Sequence, residues 1–255
     1  MPRVIAVIPA RYASQRLPAK PLVDLLGKSM IQRVYEQASR ASLLSQVVVA
    51  TDDDRIAAAV RAFGGEVIMT SAEIRSGSDR VAAIAGILPA EIFVNIQGDE
   101  PLIAPSMIDE AVRVVLDDPD ADVGTLARRI ESPADLFNPA IVKVILSVDR
   151  TALYFSRSAV PFVRDEADQS QWLRHHVFYK HVGIYVFRRS FLLKYPSLSE
   201  SVLERTEKLE QLRILEHGYR IKVGITDFES ISVDTPEDVG RVIEVLKSQS
   251  HHPTS

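Results

Sequence analysis

The 255-residue chain has no cysteine. That excludes a disulfide framework, a thiolate metal site and a cysteine nucleophile together, and it suits a reducing cytoplasm. Long hydrophobic runs are missing as well. The apolar stretch that starts at Val4 stops at Pro9, too short for a signal-peptide core or a membrane span. There is no basic excess. A net charge of −4 argues against a chain whose main task is neutralising nucleic-acid phosphates. Two glycine signatures are lacking too. Gly27-Lys28-Ser29 looks like the end of a P-loop, but the first glycine of that motif would fall at Leu22. No Gly-x-Gly-x-x-Gly follows the first apolar run, which argues against a dinucleotide cofactor.

What is present is a chain 46% hydrophobic, enough to bury a core as one large α/β domain or as two smaller ones. Apolar runs bounded by turn signals alternate with helix-period segments through the first half. Strands are expected at Val4–Ile8, Val47–Ala50, Val67–Met69 and Ile92–Ile96, and helices at Met30–Arg40, Asp54–Phe63 and Ser78–Ile87. Gly64-Gly65 stands where a helix C-cap belongs. This pattern predicts a mostly parallel sheet. After Asp122 the rhythm changes, and strands at Val123–Ile130, Val142–Leu146 and Val182–Phe187 imply mixed directions. The polar stretch Arg164–Lys180, with the lone Trp172, reads as a mobile lid or a subunit contact. One helix is expected over Ser201–His217, opened by a Ser201/Glu204 capping box and closed by Gly218. Strands at Ile221–Ile225 and Ile231–Val233 and a helix opened by Thr235-Pro236 follow, with a frayed tail from Gln249.

Three constellations carry chemistry. Behind the first strand lie Arg11, Arg16 and Lys20, with no acidic residue until Asp24. They stand at the carboxyl edge of the predicted sheet, where open α/β folds bind ligands, and read as a triphosphate-binding loop or, more blandly, as a solvated basic turn. The second is Ile96-Gln-Gly-Asp-Glu-Pro-Leu102, in which Gly98 allows an unusual backbone angle or close ligand approach, and Asp99 projects over the same edge. The third is Ser232-Val-Asp-Thr-Pro-Glu-Asp238. Asp234 there serves the helix dipole, or joins Asp99 in giving Mg²⁺ two carboxylates beside phosphate oxygens and water.

At this level the residues resemble the 3-deoxy-D-manno-octulosonate (Kdo) cytidylyltransferase family. The matching text is Ile8-Pro-Ala-Arg-Tyr-Ala-Ser, Arg16-Leu-Pro and Lys20-Pro-Leu22, then Val49-Ala-Thr-Asp52, Gly64-Gly-Glu66 and Asn95-Ile-Gln-Gly-Asp-Glu-Pro101. It continues through Phe137-Asn-Pro139, Ala152-Leu-Tyr-Phe-Ser-Arg157, His181-Val-Gly-Ile-Tyr185, Leu209-Glu-Gln-Leu-Arg213 and Val233-Asp-Thr-Pro-Glu-Asp238, almost end to end. The Pro-Ala-Arg and Gln-Gly-Asp elements are shared more widely among nucleotidyltransferases, so they indicate the superfamily and the later ones the member.

The resemblance implies transfer of CMP from CTP to the anomeric hydroxyl of Kdo with release of pyrophosphate, for lipopolysaccharide biosynthesis. It also implies a Rossmann-like nucleotidyltransferase fold, Mg²⁺ dependence and a homodimer. Residues 1–130 would be mainly the CTP-binding part and 131–225 mainly the sugar-binding and dimerisation part. Residues 226–255 would return to the core with a metal-site aspartate and the last helix. Carried over position by position, Arg11, Lys20, Asp99 and Asp234 are catalytic, with Asp99 and Asp234 as the metal ligands. Ala10, Arg11, Arg16, Lys20, Ser76, Arg80 and Gln97 bind CTP, and Gln97, Arg157, His181, Tyr185, Glu210 and Gln211 bind the sugar, Arg157 through the Kdo carboxylate. Tyr185 alternatively packs in the core, and Glu210 and Gln211 alternatively form a solvated helix face; His175 and His176 read as surface residues. The family usually reads Ser-Gly-Thr-Glu-Arg where this chain has Ser76-Gly-Ser-Asp-Arg80, and Arg where it has Lys180. Other readings are a cytidylyltransferase for an 8-amino Kdo analogue or a sialic acid, and a non-catalytic nucleotide-binding regulator.

Overall fold

The computed structural model describes residues 2–13, 17–74 and 76–251. It comprises two compact units, Met1–Asp109 with Glu229–Ser255, and Glu110–Phe228.

In the first unit, β1 (Val4–Ala10), β2 (Gln46–Thr51), β3 (Val67–Met69) and β4 (Ile92–Asn95) lie side by side in the order β3-β2-β1-β4, every pair parallel. Ile5 to Ile8 have no exposed surface, as a strand covered on both faces requires of an unbroken apolar run. Between the strands run α1 (Met30–Ala38), α2 (Asp54–Ala62) and α3 (Gly77–Ile87), whose first turns are capped by the side chains of Ser29, Asp53 and Ser76. Gly64 closes α2 with φ of +80°, the left-handed geometry that favours glycine at a C-cap. The helix α4 (Pro105–Leu116) has no counterpart among the sequence expectations, and the boundary between the units falls inside it. Its buried Asp109 accepts hydrogen bonds from the backbone N–H groups of Ser42 and Leu43 at 3.0 and 2.8 Å.

The expected strand Ile231–Val233 does not form. Val233 instead donates one backbone hydrogen bond to Asp99 O at 2.9 Å, and its side chain packs with Leu25, Met30 and Val242. Burial, not a ladder, holds that apolar segment. The last helix spans Pro236–His251, so residues 249–251 are helical, and residues 252–255 of the expected frayed tail lie outside the described residues.

The second unit mixes strand directions as expected. Here β5 (Val123–Arg129), β6 (Lys143–Leu146), β7 (Ala152–Ser156), β8 (Tyr179–Arg188) and β9 (Ile221–Ile225) form the sheet. β5 is flanked by β8 antiparallel and β9 parallel, while β6 pairs antiparallel with both β7 and β8. The helix expected over Ser201–His217 is two helices, Val202–Glu207 and Gln211–Glu216. Its capping box is present, but Lys208 is left-handed with φ of 54°. The break exposes the carbonyls of Glu207 and Lys208, which take hydrogen bonds from the Arg157 guanidinium at 2.7 and 3.5 Å. Within the Arg164–Lys180 stretch the tryptophan is an anchor. Trp172 is 3% exposed, packs with Ile130, Leu136 and Phe178, and donates its indole N–H to Glu166 O at 3.0 Å.

Close packing in the second unit leaves no room at Gly224, where a Cβ would stand 2.7 Å from Val114 Cγ2 and 2.8 Å from Leu126 Cδ2. Replacing Gly224 by Ala is expected to destabilise the protein by about 1–3 kcal/mol. Urea unfolding of the variant measures this, and an unchanged midpoint would contradict it.

Candidate active site

β1 and β4 pair in register, Val7 opposite Asn95, so the segments that follow them leave the sheet together at its carboxyl edge. Ile96 N still donates to Val7 O at 3.0 Å, one step past the end of β4. At Gly98 a Cβ would lie 3.0 Å from Pro9 O. The glycine therefore serves a close passage of two backbones. It adopts no left-handed angle; the close approach seen here is to Pro9, and Gly98 also lines the cleft described below.

On this edge Lys20, in a one-turn 3₁₀ segment after left-handed Ala19, reaches two carboxylates from distant parts of the chain. Its Nζ donates to Asp99 Oδ2 at 2.6 Å and to Asp234 Oδ1 at 2.9 Å. The Lys20 side chain is 15% exposed. Burial alone would lower its pKa, but the two carboxylates outweigh that and hold it above the usual lysine value. The Val233–Asp99 backbone bond brings Asp234 to its place.

The helix-dipole role considered for Asp234 belongs to Asp238. This buried carboxylate accepts from Asp234 N and Thr235 N, both at 2.9 Å, while Thr235 Oγ1 accepts from Asp238 N at 3.4 Å. That is a capping box with aspartate in the third position. The backbone N–H of Asp234 leads the causes that pull Asp238 down to about 2, with burial opposing and Arg241 and Thr235 assisting. Asp234 is thereby left to turn its carboxylate towards Lys20.

A cleft of about 210 Å³ opens here, lined by Pro9, Arg11, Ala13, Lys20, Pro21, Gln97, Gly98 and Asp99. Arg11 donates to Ile74 O. Ala10 ends β1 with its side chain buried. Arg16 lies outside the described residues. Ser76 caps α3, accepting from Asp79 N at 3.0 Å. Arg80 is fully buried, bonds Thr70 Oγ1 and stands 3.5 Å from Asp52 Oδ2. Burial leads in lowering its pKa, opposed by Asp52, with Arg11 adding repulsion. Arg80 Nε, Asp52 Oδ1 and Asn95 Oδ1 are buried without a hydrogen bond, and Arg80 Nη2 has only its 3.5 Å ion pair with Asp52, an arrangement suited to a polar ligand or ordered water. Asp52 and Asn95 lie within matching motifs, yet nothing in those motifs marked them as polar atoms in need of partners.

Among the described residues no group of three or more acidic, histidine or cysteine side chains could hold a metal ion. Two carboxylates converging on one cation are nevertheless present. That donor set fits Mg²⁺, which is bound through one or two carboxylates with phosphate and water completing its shell.

The remaining candidates lie in the second unit. His181 Nε2 is 2.9 Å from Thr125 Oγ1, and its ring lies 5.1 Å from Phe155 and 5.3 Å from Tyr185. Burial pushes His181 down to about 3, so the imidazole is neutral. Burial, followed by the charge of Glu210 and by Tyr195, raises Tyr185 well above the ordinary phenol value. Gln211 is 4% exposed, which excludes a solvated face there, whereas Glu210 is exposed. Arg157 donates Nη1 to Pro139 O at 3.0 Å besides its bonds at the helix break. Glu207, absent from the sequence candidates, accepts from Ser156 Oγ at 2.7 Å and Arg157 N at 3.0 Å. His175 and His176 are exposed.

Comparison with known proteins gives a consistent result. A family model described as cytidylyltransferase matches residues 5–222. A 3-deoxy-manno-octulosonate cytidylyltransferase of Geotalea uraniireducens is 53% identical over 249 residues, covering 96% of this chain and 99% of that protein. One of Bacteroides thetaiotaomicron is 49% identical over 253 residues, covering 97% and 100%. Among solved structures, CMP:2-keto-3-deoxy-manno-octonic acid synthetase complexed with CTP superposes with a TM-score of 0.91 at 41% identity, covering 97% of this chain and 99% of that one.

The capping box beside Asp234 has a pH signature. A carboxylate lowered from 3.8 to about 2 contributes stability that is fully present above pH 3.8 and is lost as the pH falls through 2. Asp238→Asn is expected to be less stable than the parent near pH 7, with the difference closing between pH 4 and 2. Urea unfolding across that range checks it; a constant difference would contradict it.

Proposed function

Because the chain belongs to the 3-deoxy-manno-octulosonate cytidylyltransferase family, we propose that its Lys20, Asp99 and Asp234 cluster carries the transfer of CMP from CTP to the anomeric hydroxyl of Kdo. The sugar oxygen attacks the α-phosphorus, the bond to the β-phosphate oxygen breaks, and pyrophosphate leaves. The observation that carries this reading is the convergence of Asp99 and Asp234 on one cationic centre at 2.6 and 2.9 Å, at the sheet edge and beside Arg11.

Asp99 and Asp234 are the residues that would hold Mg²⁺, which supplies charge neutralisation of the phosphates and polarisation of the attacking hydroxyl. Lys20 lines the cleft with Arg11, and the two cations would stabilise the charge on the departing phosphates. Arg16 is assigned to the phosphates by resemblance. Ala10 offers backbone only. Ser76, Arg80 and Gln97 are assigned to the nucleotide, supported for Arg80 by its Nε, buried without a hydrogen bond. By resemblance, Gln97, Arg157, His181, Tyr185, Glu210 and Gln211 are each assigned to the sugar. Arg157 keeps N–H groups for a carboxylate only beyond those it gives to Pro139, Glu207 and Lys208.

The proposal extends to a cytoplasmic homodimer acting in lipopolysaccharide biosynthesis, supported by the family and, for the compartment, by the absence of cysteine. No helix among the described residues is long and apolar enough to cross a membrane.

Pyrophosphate release with CTP, Mg²⁺ and a panel of Kdo, an 8-amino analogue and a sialic acid tests the reading. Release with Kdo is expected; release only with another sugar would overturn the substrate, and none with any sugar would overturn the transfer. Asp99→Asn is expected to lower turnover by at least about 10²–10³-fold while the protein still folds cooperatively, as circular dichroism during urea unfolding would show. Parent-like turnover would remove Asp99 from the mechanism.

A further inference from the structure

In the second unit the hydrogen-bond accounting around Thr125 settles the state of His181. Thr125 is on β5 and fully buried. Its register with β8 shifts here: Thr125 pairs with Tyr185, but Leu126 pairs with Val182, so Gly183 and Ile184 form a bulge. The bulge turns two carbonyls onto one hydroxyl. Thr125 Oγ1 lies 2.7 Å from Ile184 O and 3.2 Å from Val182 O, and 2.9 Å from His181 Nε2.

A threonine hydroxyl has one proton and two lone pairs. Both carbonyls can only accept, so that proton points at the backbone, most directly at Ile184 O. Were it given to His181 instead, two oxygen lone pairs would face each other at 2.7 Å in a buried site, an unsatisfied acceptor pair of the costly kind. His181 Nε2 must therefore carry a hydrogen and donate it to Thr125. Burial keeps the ring neutral, so Nδ1 has none.

We infer that Thr125 is a positioning residue that fixes His181 as the Nε2–H tautomer, leaving Nδ1 as a hydrogen-bond acceptor for a hydroxyl of the sugar substrate. This rests on the proposed sugar-side role of His181 and sharpens it. A neutral ring whose open nitrogen only accepts is matched to a polyol hydroxyl, not to a carboxylate or phosphate oxygen, which would present lone pair to lone pair. Anionic groups of the substrates then fall to the arginines and lysine.

Long-range ¹H–¹⁵N NMR of the imidazoles tests the tautomer without any substrate, with His181 assigned by comparison with His181→Gln. The parent and Thr125→Ser are expected to show an unprotonated Nδ1, and Thr125→Val a mixture of tautomers. In kinetics, Thr125→Val should raise KM for Kdo about fivefold to tenfold, the worth of one hydrogen bond. KM for CTP should stay within about twofold, and Thr125→Ser should restore the parent value. An Nδ1–H tautomer in the parent protein would overturn the inference, as would a Thr125→Val variant with parental tautomer and parental KM for Kdo. Failure of the parent to make any CMP-sugar would instead refute the proposed function, a result the spectrum keeps separate.

Discussion

Lys20 sits between two carboxylates that would otherwise repel, and the first unit is arranged to hold that contact. The three side chains lie 79 and 214 residues apart in sequence. Each is brought in by a backbone constraint: Lys20 by the left-handed Ala19 and the buried Pro21, Asp99 by the glycine that lets its loop pass Pro9, and Asp234 by the bond from Val233 to Asp99 O. A buried ammonium alone would lose its proton more easily. Together they are mutually stabilising. The raised pKa of Lys20 is the net of those opposing effects. In the proposed function the same oxygens would hold Mg²⁺, and Lys20 would then be available to phosphate.

The second unit solves a different problem, that of supplying irregular backbone groups with partners. The break at Lys208 and the bulge at Gly183-Ile184 both leave carbonyls that no regular element satisfies. Arg157 donates to the first set, and Thr125 gives its one hydroxyl proton most directly to Ile184 O in the second. In each case the side chain that satisfies the backbone touches or is itself a residue assigned to the sugar. Departures from regularity therefore orient functional groups at the same time as they are stabilised.

Much of the parallel half was legible because its signals are local. Unbroken apolar runs such as Val4–Ile8 and Val47–Ala50 become fully covered strands, and Ser29, Asp53 and Gly64 mark helix ends through local geometry within a few residues. The misreadings arose where tertiary contacts decide. Ile231–Val233 has strand composition but no neighbouring strand. Leucine spacing over 201–217 is helical throughout, yet the chain reverses hand at Lys208 to offer carbonyls to an arginine 51 residues away. Trp172 stands in a polar stretch whose spacing gave no hint of a core position.

The site was legible to the same extent and for the same reason. Asp99 and Asp234 each follow a short apolar segment at the sheet edge, a local sign, and their meeting at Lys20 could be suspected from charge alone. Thr125 could not. In sequence it is one more β-branched residue inside a strand, and its function exists only through a register shift on the opposite strand that puts His181, Val182 and Ile184 around one hydroxyl. The same shift accounts for the glycine in His181-Val-Gly-Ile-Tyr185. A motif that looks like a run of ligand residues is also the bulge that sets the proton on its histidine. The residue that completes the arrangement lies 56 positions earlier, where no motif points to it.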